Sequence, residues 1–347
     1  MIAAGAARSR RVPTRRVGFL PRRVAAAAAL VVVAALAGCA AVPALPALSG
    51  DVFVHDPAYV RHADGGDSYI YSTGNGQLSD GNIQIRRSTD DGSWEYVGEV
   101  WQHKPDWLVK AVPGVDNLWA PELHEHGGTW YLYYAASTFG SNTSVIALAT
   151  NTTLDPDDPH YTWVDQGPVI ASAGTDYNAI DPSIVEDAKG TPWLAFGSFS
   201  SGLKMVELSW PGGMRADDAA PVTIADRGAA PNAIEAPTVV RHDGWYYLFA
   251  SRGFCCKGVD STYEVIVGRS KAVTGPYLDR DGGALREDGG TVLLTTDGDR
   301  IGPGGQSVSD GILAFHYYDG AADGTPTLGL AALDWKDGWP VATVPAG

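Results

Sequence analysis

Aromatic and β-branched residues gather into short runs along the chain, at 67–71, 129–134, 191–196, 245–249 and 312–318, each bounded by Gly, Asp or Asn. Runs of this length and make-up read as strands, and little helical periodicity is present after residue 50. The expected fold is all-β. Ahead of each run stands a turn element ending in proline: His55-Asp56-Pro57, Trp119-Ala120-Pro121, Ile180-Asp181-Pro182, Glu235-Ala236-Pro237 and, in weaker form, Ile301-Gly302-Pro303. A repeat of roughly 60 residues holding several short strands fits the blades of a propeller, which protects strand edges by radial packing. Five units predict a five-bladed β-propeller over residues 51–347. A β-sandwich would not repeat the same proline element around the chain.

The polar pattern is different at the start. Residues 1–38 carry seven arginines and no acid, followed from 24 to 36 by an apolar run. That run is well short of the roughly 20 residues a membrane-spanning helix needs, so it reads as the core of a signal peptide. Leu36-Ala37-Gly38-Cys39 resembles the lipobox of bacterial lipoproteins, which makes Cys39 the expected lipidated N-terminus and residues 39–50 a short tether. Arg15-Arg16 followed by Phe19-Leu20 is a loose twin-arginine pattern. The expected location is the outer face of the cell membrane, or the medium.

Loss of residues 1–38 leaves 18 basic against 40 acidic residues, a net charge of −22. So acidic a surface argues against nucleic acid or anionic membrane as a direct partner and suits a neutral substrate outside the cell. Cys255 and Cys256 are the remaining cysteines, and neighbours in sequence cannot staple distant parts of a fold. They are compatible with a vicinal disulfide or with two buried thiols. The fold must stand on its core, and a monomer is expected.

In a propeller the innermost strands line one axis, so residues in phase with the repeat converge. Asp56 and Asp181 directly precede the repeated proline, and Glu235 stands two before it, where the second repeat has Trp119. A lone Asp-Pro commonly caps a turn. Three acids in phase, in segments with few other charges, point instead to a carboxylate cluster. Crowded carboxylates repel, so at least one should have a raised pKa. Such a set fits glycoside hydrolysis, which needs one carboxylic acid to protonate the leaving oxygen and one carboxylate to activate water or attack the sugar. A third acid nearby holds the proton donor in its acid form.

The three acid motifs, together with Leu118-Trp119-Ala120-Pro121-Glu122, the stretch Ser137-Thr138-Phe139-Gly140-Ser141-Asn142-Thr143-Ser144, the double-cysteine stretch from Phe254 to Tyr263, and His316-Tyr317-Tyr318-Asp319, resemble the endo-arabinanases of glycoside hydrolase family 43. The resemblance spans the chain from about residue 50 to its end. It implies inverting hydrolysis of α-1,5-linked arabinan of the plant cell wall, with Asp56 as general base, Glu235 as general acid and Asp181 tuning the acid. It also implies a sugar site lined by Asp56, Phe139, Gly140, Asn178, Ala179, Ile180, Asp181, Ser198, Phe199 and Ser200. Two positions depart from the pattern. Ser200 stands where the group usually has Trp, removing an aromatic platform, and Gly305 stands where the group has a histidine that contacts a channel metal, commonly calcium. That ligand is absent, so no metal residue is named, although waters could hold calcium. The competing expectations are an exo-acting arabinofuranosidase or β-xylosidase of the same fold, and a catalytically weak propeller that captures arabino-oligosaccharides.

Overall fold

The structure, a computed structural model, describes residues 45–61 and 66–345 together with positions 11, 13 and 18. The signal peptide apart from those three positions, Cys39 and the first part of the tether lie outside the described residues.

Five antiparallel meanders follow one another around an axis, each with its first strand innermost. The inner strands are Ala58–Arg61, Leu118–His126, Ser183–Glu186, Ile234–His242 and Arg300–Ser309. They head blades 1 to 5, and the five-bladed propeller expected from the repeat is the fold observed. The aromatic runs form the second strand of each blade: Ser68–Ser72, Thr129–Ala136, Pro192–Phe196, Trp245–Arg252 and Ile312–Asp319. Blades 2, 4 and 5 have four strands each. Blade 3 ends in two short strands, Met214–Arg215 and Val222–Ala225, both on Leu203–Ser209. Blade 1 gains a fifth from Ser49–Gly50, which runs parallel to Ser93–Glu99.

The aromatic runs are apolar throughout because both faces of a blade are covered. Successive strand residues point to opposite faces. Thus Leu132 and Tyr134 pack against Tyr71 and Ile85 of blade 1, while Tyr131 and Tyr133 pack against Leu194, Phe196 and Val206 of blade 3. Leu248 and Ala250 likewise face Val185, Ala195 and Met205 of blade 3, while Tyr247 and Phe249 face Leu313 and Phe315 of blade 5. The last interface, between blades 5 and 1, holds Ala314, Leu328 and Leu330 against Tyr59, Ile70 and Trp94. It closes the ring. The segment entering blade 1 is also tied to blade 5, by a bridge between Phe53 and Thr327 and by the Leu328 amide donating to the Val52 carbonyl at 2.8 Å. The fold thus has five thin apolar layers, one at each blade interface, and leaves the axis to the ends of five inner strands.

Candidate active site

Five pairs of adjacent residues, just ahead of the inner strand in blades 1 and 3 and within it in blades 2, 4 and 5, line one axial funnel: Asp56 and Pro57, Ala120 and Pro121, Asp181 and Pro182, Ala236 and Pro237, Gly305 and Gln306. The first residue of each pair has left-handed backbone, with φ of 51°, 42°, 57°, 51° and 56° respectively. The fifth equivalent is therefore Gly305, three residues beyond the Gly302-Pro303 element that the proline pattern singled out. The inner strand of blade 5 shifts register on both sides of Gly304, which carries Pro303 out of phase with the other four prolines.

Asp56 and Asp181 occupy the left-handed position itself, while Glu235 stands one residue before it, as Trp119 does in blade 2. That offset places Glu235 in the seam between blades 3 and 4. It is paired with Ser198 in an isolated bridge and is 8% exposed. Ser198 Oγ donates to its Oε2 at 2.7 Å and Tyr263 Oη donates to Oε1. The Ala236 amide donates to Asp181 Oδ2 at 3.1 Å, so the residue after Glu235 fixes the carboxylate of blade 3.

Asp56 is held from several sides. His55 Nδ1 lies 2.8 Å from its Oδ2, Thr73 Oγ1 donates to the same oxygen at 2.7 Å, and its backbone N–H donates to His316 Nδ1 at 3.1 Å. Burial alone would raise its pKa, but the charge and hydrogen bond of His55, with the Thr73 hydroxyl, outweigh it and hold the carboxyl at about 2. His55 is pulled down by burial and up more strongly by Asp56, ending above its ordinary value. His316 is kept neutral by burial and by the neighbouring His55, on which its ring stacks at 3.7 Å. Burial raises the pKa of Asp181 and Glu235, and the negative charge of Asp56 adds to it. The hydrogen bonds from Tyr263 and Ser198 only partly offset this for Glu235. One carboxylate is therefore charged in a funnel whose other two carboxyls retain protons to higher pH.

The remaining residues expected at the sugar site fall into two groups. Phe139 is 86% exposed, and a side chain at Gly140 would meet nothing within 4 Å. Their loop reaches the turn at Ser200, whose Oγ bonds Asn142 Oδ1 at 3.1 Å, and Phe199 lies 5.8 Å from Phe254 across the seam of blades 3 and 4. Asn178 is buried and accepts from Ser144 Oγ at 2.7 Å, while Ala179 and Ile180 turn into the apolar layer between blades 2 and 3. Several contributors had no role assigned from the sequence, Thr73 for want of any signal and Tyr263 and Glu122 although they stand at the ends of motifs quoted above. Thr73, just past the second strand of blade 1, and Tyr263, just ahead of the third strand of blade 4, lie away in sequence from the acids they bond. Glu122, the last residue of Leu118-Trp119-Ala120-Pro121-Glu122, lines the axial channel on the far side of the carboxylates. Burial pushes its pKa up to about 8, against hydrogen bonds from the Ile184 amide at 3.1 Å and from Ser183.

Gly305 brings no donor to the axis, and a Cβ there would sit against Asp56 Oδ1 and within 2.7 Å of the His316 ring. One donor atom each from His55, Asp56 and His316 lie within 4.8 Å of one another, but these groups bond each other. Nδ1 of both imidazoles is engaged in this way, and His316 Nε2 is buried without a partner among the described residues.

Residues 46–340 match the model of glycosyl hydrolases family 43. The chain is 40% identical over 290 residues to an extracellular endo-alpha-(1->5)-L-arabinanase of Bacillus subtilis, covering 83% of this chain and 87% of that one. It is 39% identical over 308 residues to an extracellular exo-alpha-(1->5)-L-arabinofuranosidase of Cellvibrio japonicus, covering 83% and 86%. A solved endo-arabinanase from Bacillus licheniformis superposes with a TM-score of 0.79 at 37% identity, over 85% of this chain and 99% of that one.

Two outcomes are expected. Gly305→Ala combines left-handed backbone with a collision at Asp56 and His316, so kcat should fall by about tenfold or more, as misplacement of a reacting group by ~1 Å costs roughly a hundredfold. Unchanged kcat would show that Asp56 and His316 have room to move. For Glu122, the folded pKa of about 8 lies above the ordinary carboxylate value, so the folded state binds more protons than the unfolded state from about pH 4.5 to 8 and stability falls as pH rises. In Glu122→Gln the melting temperature should decline less steeply across that window. Equal slopes would show an ordinary carboxyl.

Proposed function

The chain belongs to glycosyl hydrolases family 43 and is a glycoside hydrolase, and from that premise we propose that it cleaves internal α-1,5 linkages of arabinan with inversion at the anomeric carbon. The observation that carries this reading is the unequal charge of three carboxyls in one funnel, Asp56 low and Glu235 and Asp181 raised. Asp56, ionised throughout the neutral range, takes a proton from the attacking water. Glu235 gives its proton to the leaving sugar oxygen as the glycosidic bond breaks. Burial and the negative charge of Asp56 keep Glu235 protonated, and Asp181, which accepts the amide of the residue after Glu235, acts on it as the neighbouring carboxyl. Rate should therefore be high while Glu235 holds its proton and fall as pH rises through its elevated pKa.

The endo reading is supported by the exposure of Phe139 and by the free space at Gly140, where a side chain would meet nothing within 4 Å. The exo-acting Cellvibrio relative makes the product pattern the deciding measurement. Incubation with linear debranched arabinan should release a ladder of oligosaccharides early, with the β-anomer first in the NMR spectrum, and Glu235→Gln should lose at least about a hundredfold in kcat, as loss of a general acid commonly does. Arabinose as the sole early product would assign exo action. Equal slow turnover by both proteins would leave only sugar binding.

The proposed substrate is an extracellular polymer, and the Bacillus subtilis and Cellvibrio japonicus relatives are themselves extracellular. We also propose that Cys39 carries a lipid that holds the enzyme at the outer face of the cell membrane. Cys39→Ser should then release the protein into the medium and abolish incorporation of labelled fatty acid. Unchanged membrane fractionation would refute the anchor.

A further inference from the structure

Cys255 and Cys256 form a disulfide between sequence neighbours, which resolves the alternatives the sequence left open in favour of the bonded pair. They stand on the loop that leaves the second strand of blade 4, on the catalytic side of the ring, and Cys256 is exposed with left-handed backbone at φ 64°. That backbone aims the Cys256 N–H at Tyr318 Oη of blade 5, 2.7 Å away. Tyr318 Oη lies 3.0 Å from His55 Nε2, and His55 Nδ1 lies 2.8 Å from Asp56 Oδ2. The Cys256 sulfur is 3.8 Å from both Tyr318 Oη and His55 Nε2. A continuous line of polar contacts thus runs from a rim loop of one blade, through a tyrosine of the next, to the carboxylate of a third.

We propose that the Cys255–Cys256 pair is a positioning device for Asp56: it fixes the Cys256 amide, which fixes Tyr318, which holds His55 in the orientation that presents Nδ1–H to the carboxylate. The inference rests on the reading of Asp56 as general base. The logic is that of a histidine whose orientation is set by the partner of its other nitrogen. When His55 is neutral, Tyr318 donates to Nε2 and the ring proton resides on Nδ1. When His55 is protonated, Tyr318 accepts from Nε2–H and its own hydrogen turns toward the Cys256 sulfur. In both states Nδ1–H points at Asp56, and in both the Cys256 amide pins the tyrosine oxygen. The Tyr318 ring is buried, and its hydroxyl reaches past its own strand to the neighbouring blade, where the Cys256 amide meets it. The paired cysteines therefore act through Tyr318 and His55, without touching the sugar or the reacting water.

Asp56 is faced by His55 on its own segment, by His316 and Tyr318 of blade 5, by Asp181 of blade 3, and by Glu235 and Tyr263 of blade 4. Of these, His55 and His316 bond Asp56 directly, and the disulfide loop reaches the site through Tyr318. Loosening the loop should therefore weaken the interaction that depresses the Asp56 pKa while leaving the Asp181 and Glu235 contacts in place.

The test compares Cys255→Ser/Cys256→Ser, Tyr318→Phe and the triple variant, with Asp56→Asn as the control for the base itself. Each of the first two should lower kcat by about tenfold, less than the roughly hundredfold expected for a fully misplaced group, with KM nearly unchanged. The acid limb of the kcat profile should move upward by about one pH unit, toward the ordinary carboxylate value. Because the elements act in series, the triple variant should be no slower than Tyr318→Phe alone. Losses that multiply, or a fall in melting temperature with an unmoved acid limb, would overturn the proposal. Wild-type activity in Asp56→Asn would instead overturn the reading of the base.

Discussion

Five chain crossings share one axis, and each is made by a residue with left-handed backbone, just ahead of the inner strand in blades 1 and 3 and within it in blades 2, 4 and 5. Side chains rarely tolerate that conformation. Asp is among the residues that adopt it most readily, because its short carboxylate bonds locally, and glycine adopts it freely. The positions are filled by Asp56, Ala120, Asp181, Ala236 and Gly305. Two of the five are therefore acids for a backbone reason as well as a chemical one. The same turn that starts a strand aims a carboxylate at the axis, and the apolar layers between blades hold the turns together. Strain at these residues is borne by the surrounding ring, a common arrangement at functional sites.

The charge distribution follows from that convergence. Three carboxyls brought to one funnel cannot all ionise cheaply, so whichever is best solvated by its neighbours takes the charge. Asp56 has His55 and Thr73 as donors, whereas Asp181 has a single amide and Glu235 has two hydroxyls. An imidazole in this role matters more than a hydroxyl because it carries charge. The division of labour between proposed base and proposed acid thus depends on one histidine next to Asp56 in sequence and on what orients it.

The strands and the acids were legible in the sequence because both depend on local pattern. Aromatic runs of both-face burial mark the second strand of every blade, and Asp-Pro, Glu-Ala-Pro or Trp-Ala-Pro marks four of the five turns. The fifth escaped. Gly305-Gln306 has no proline, and Pro303 nearby lies in a strand that slips register. The supporting contacts escaped for a different reason: His55 and Tyr318 are 263 residues apart, and Tyr263 reaches Glu235 across 28. Nothing in either sequence neighbourhood names the partner. Ring closure between blades 5 and 1 brings the first pair together, and only the three-dimensional register reveals it. Ala179 and Ile180 illustrate the converse, since adjacency to Asp181 in sequence does not keep their side chains out of the core.

The change at Gly305 is best understood through the space it leaves. A side chain there would collide with Asp56 and His316, so the histidine ring of blade 5 and the carboxylate of blade 1 occupy volume that a residue 305 side chain would need. His316 in turn stacks on His55 and accepts the Asp56 amide. Glycine at this point thus permits two imidazoles to close around one carboxylate. The axial group is assembled from blades 1 and 5, the two ends of the described chain, so its geometry exists only when the ring is closed. A propeller that opened at this seam would lose the Asp56 arrangement first, while Glu235, held by Ser198 of blade 3 and Tyr263 of its own blade, would keep its partners.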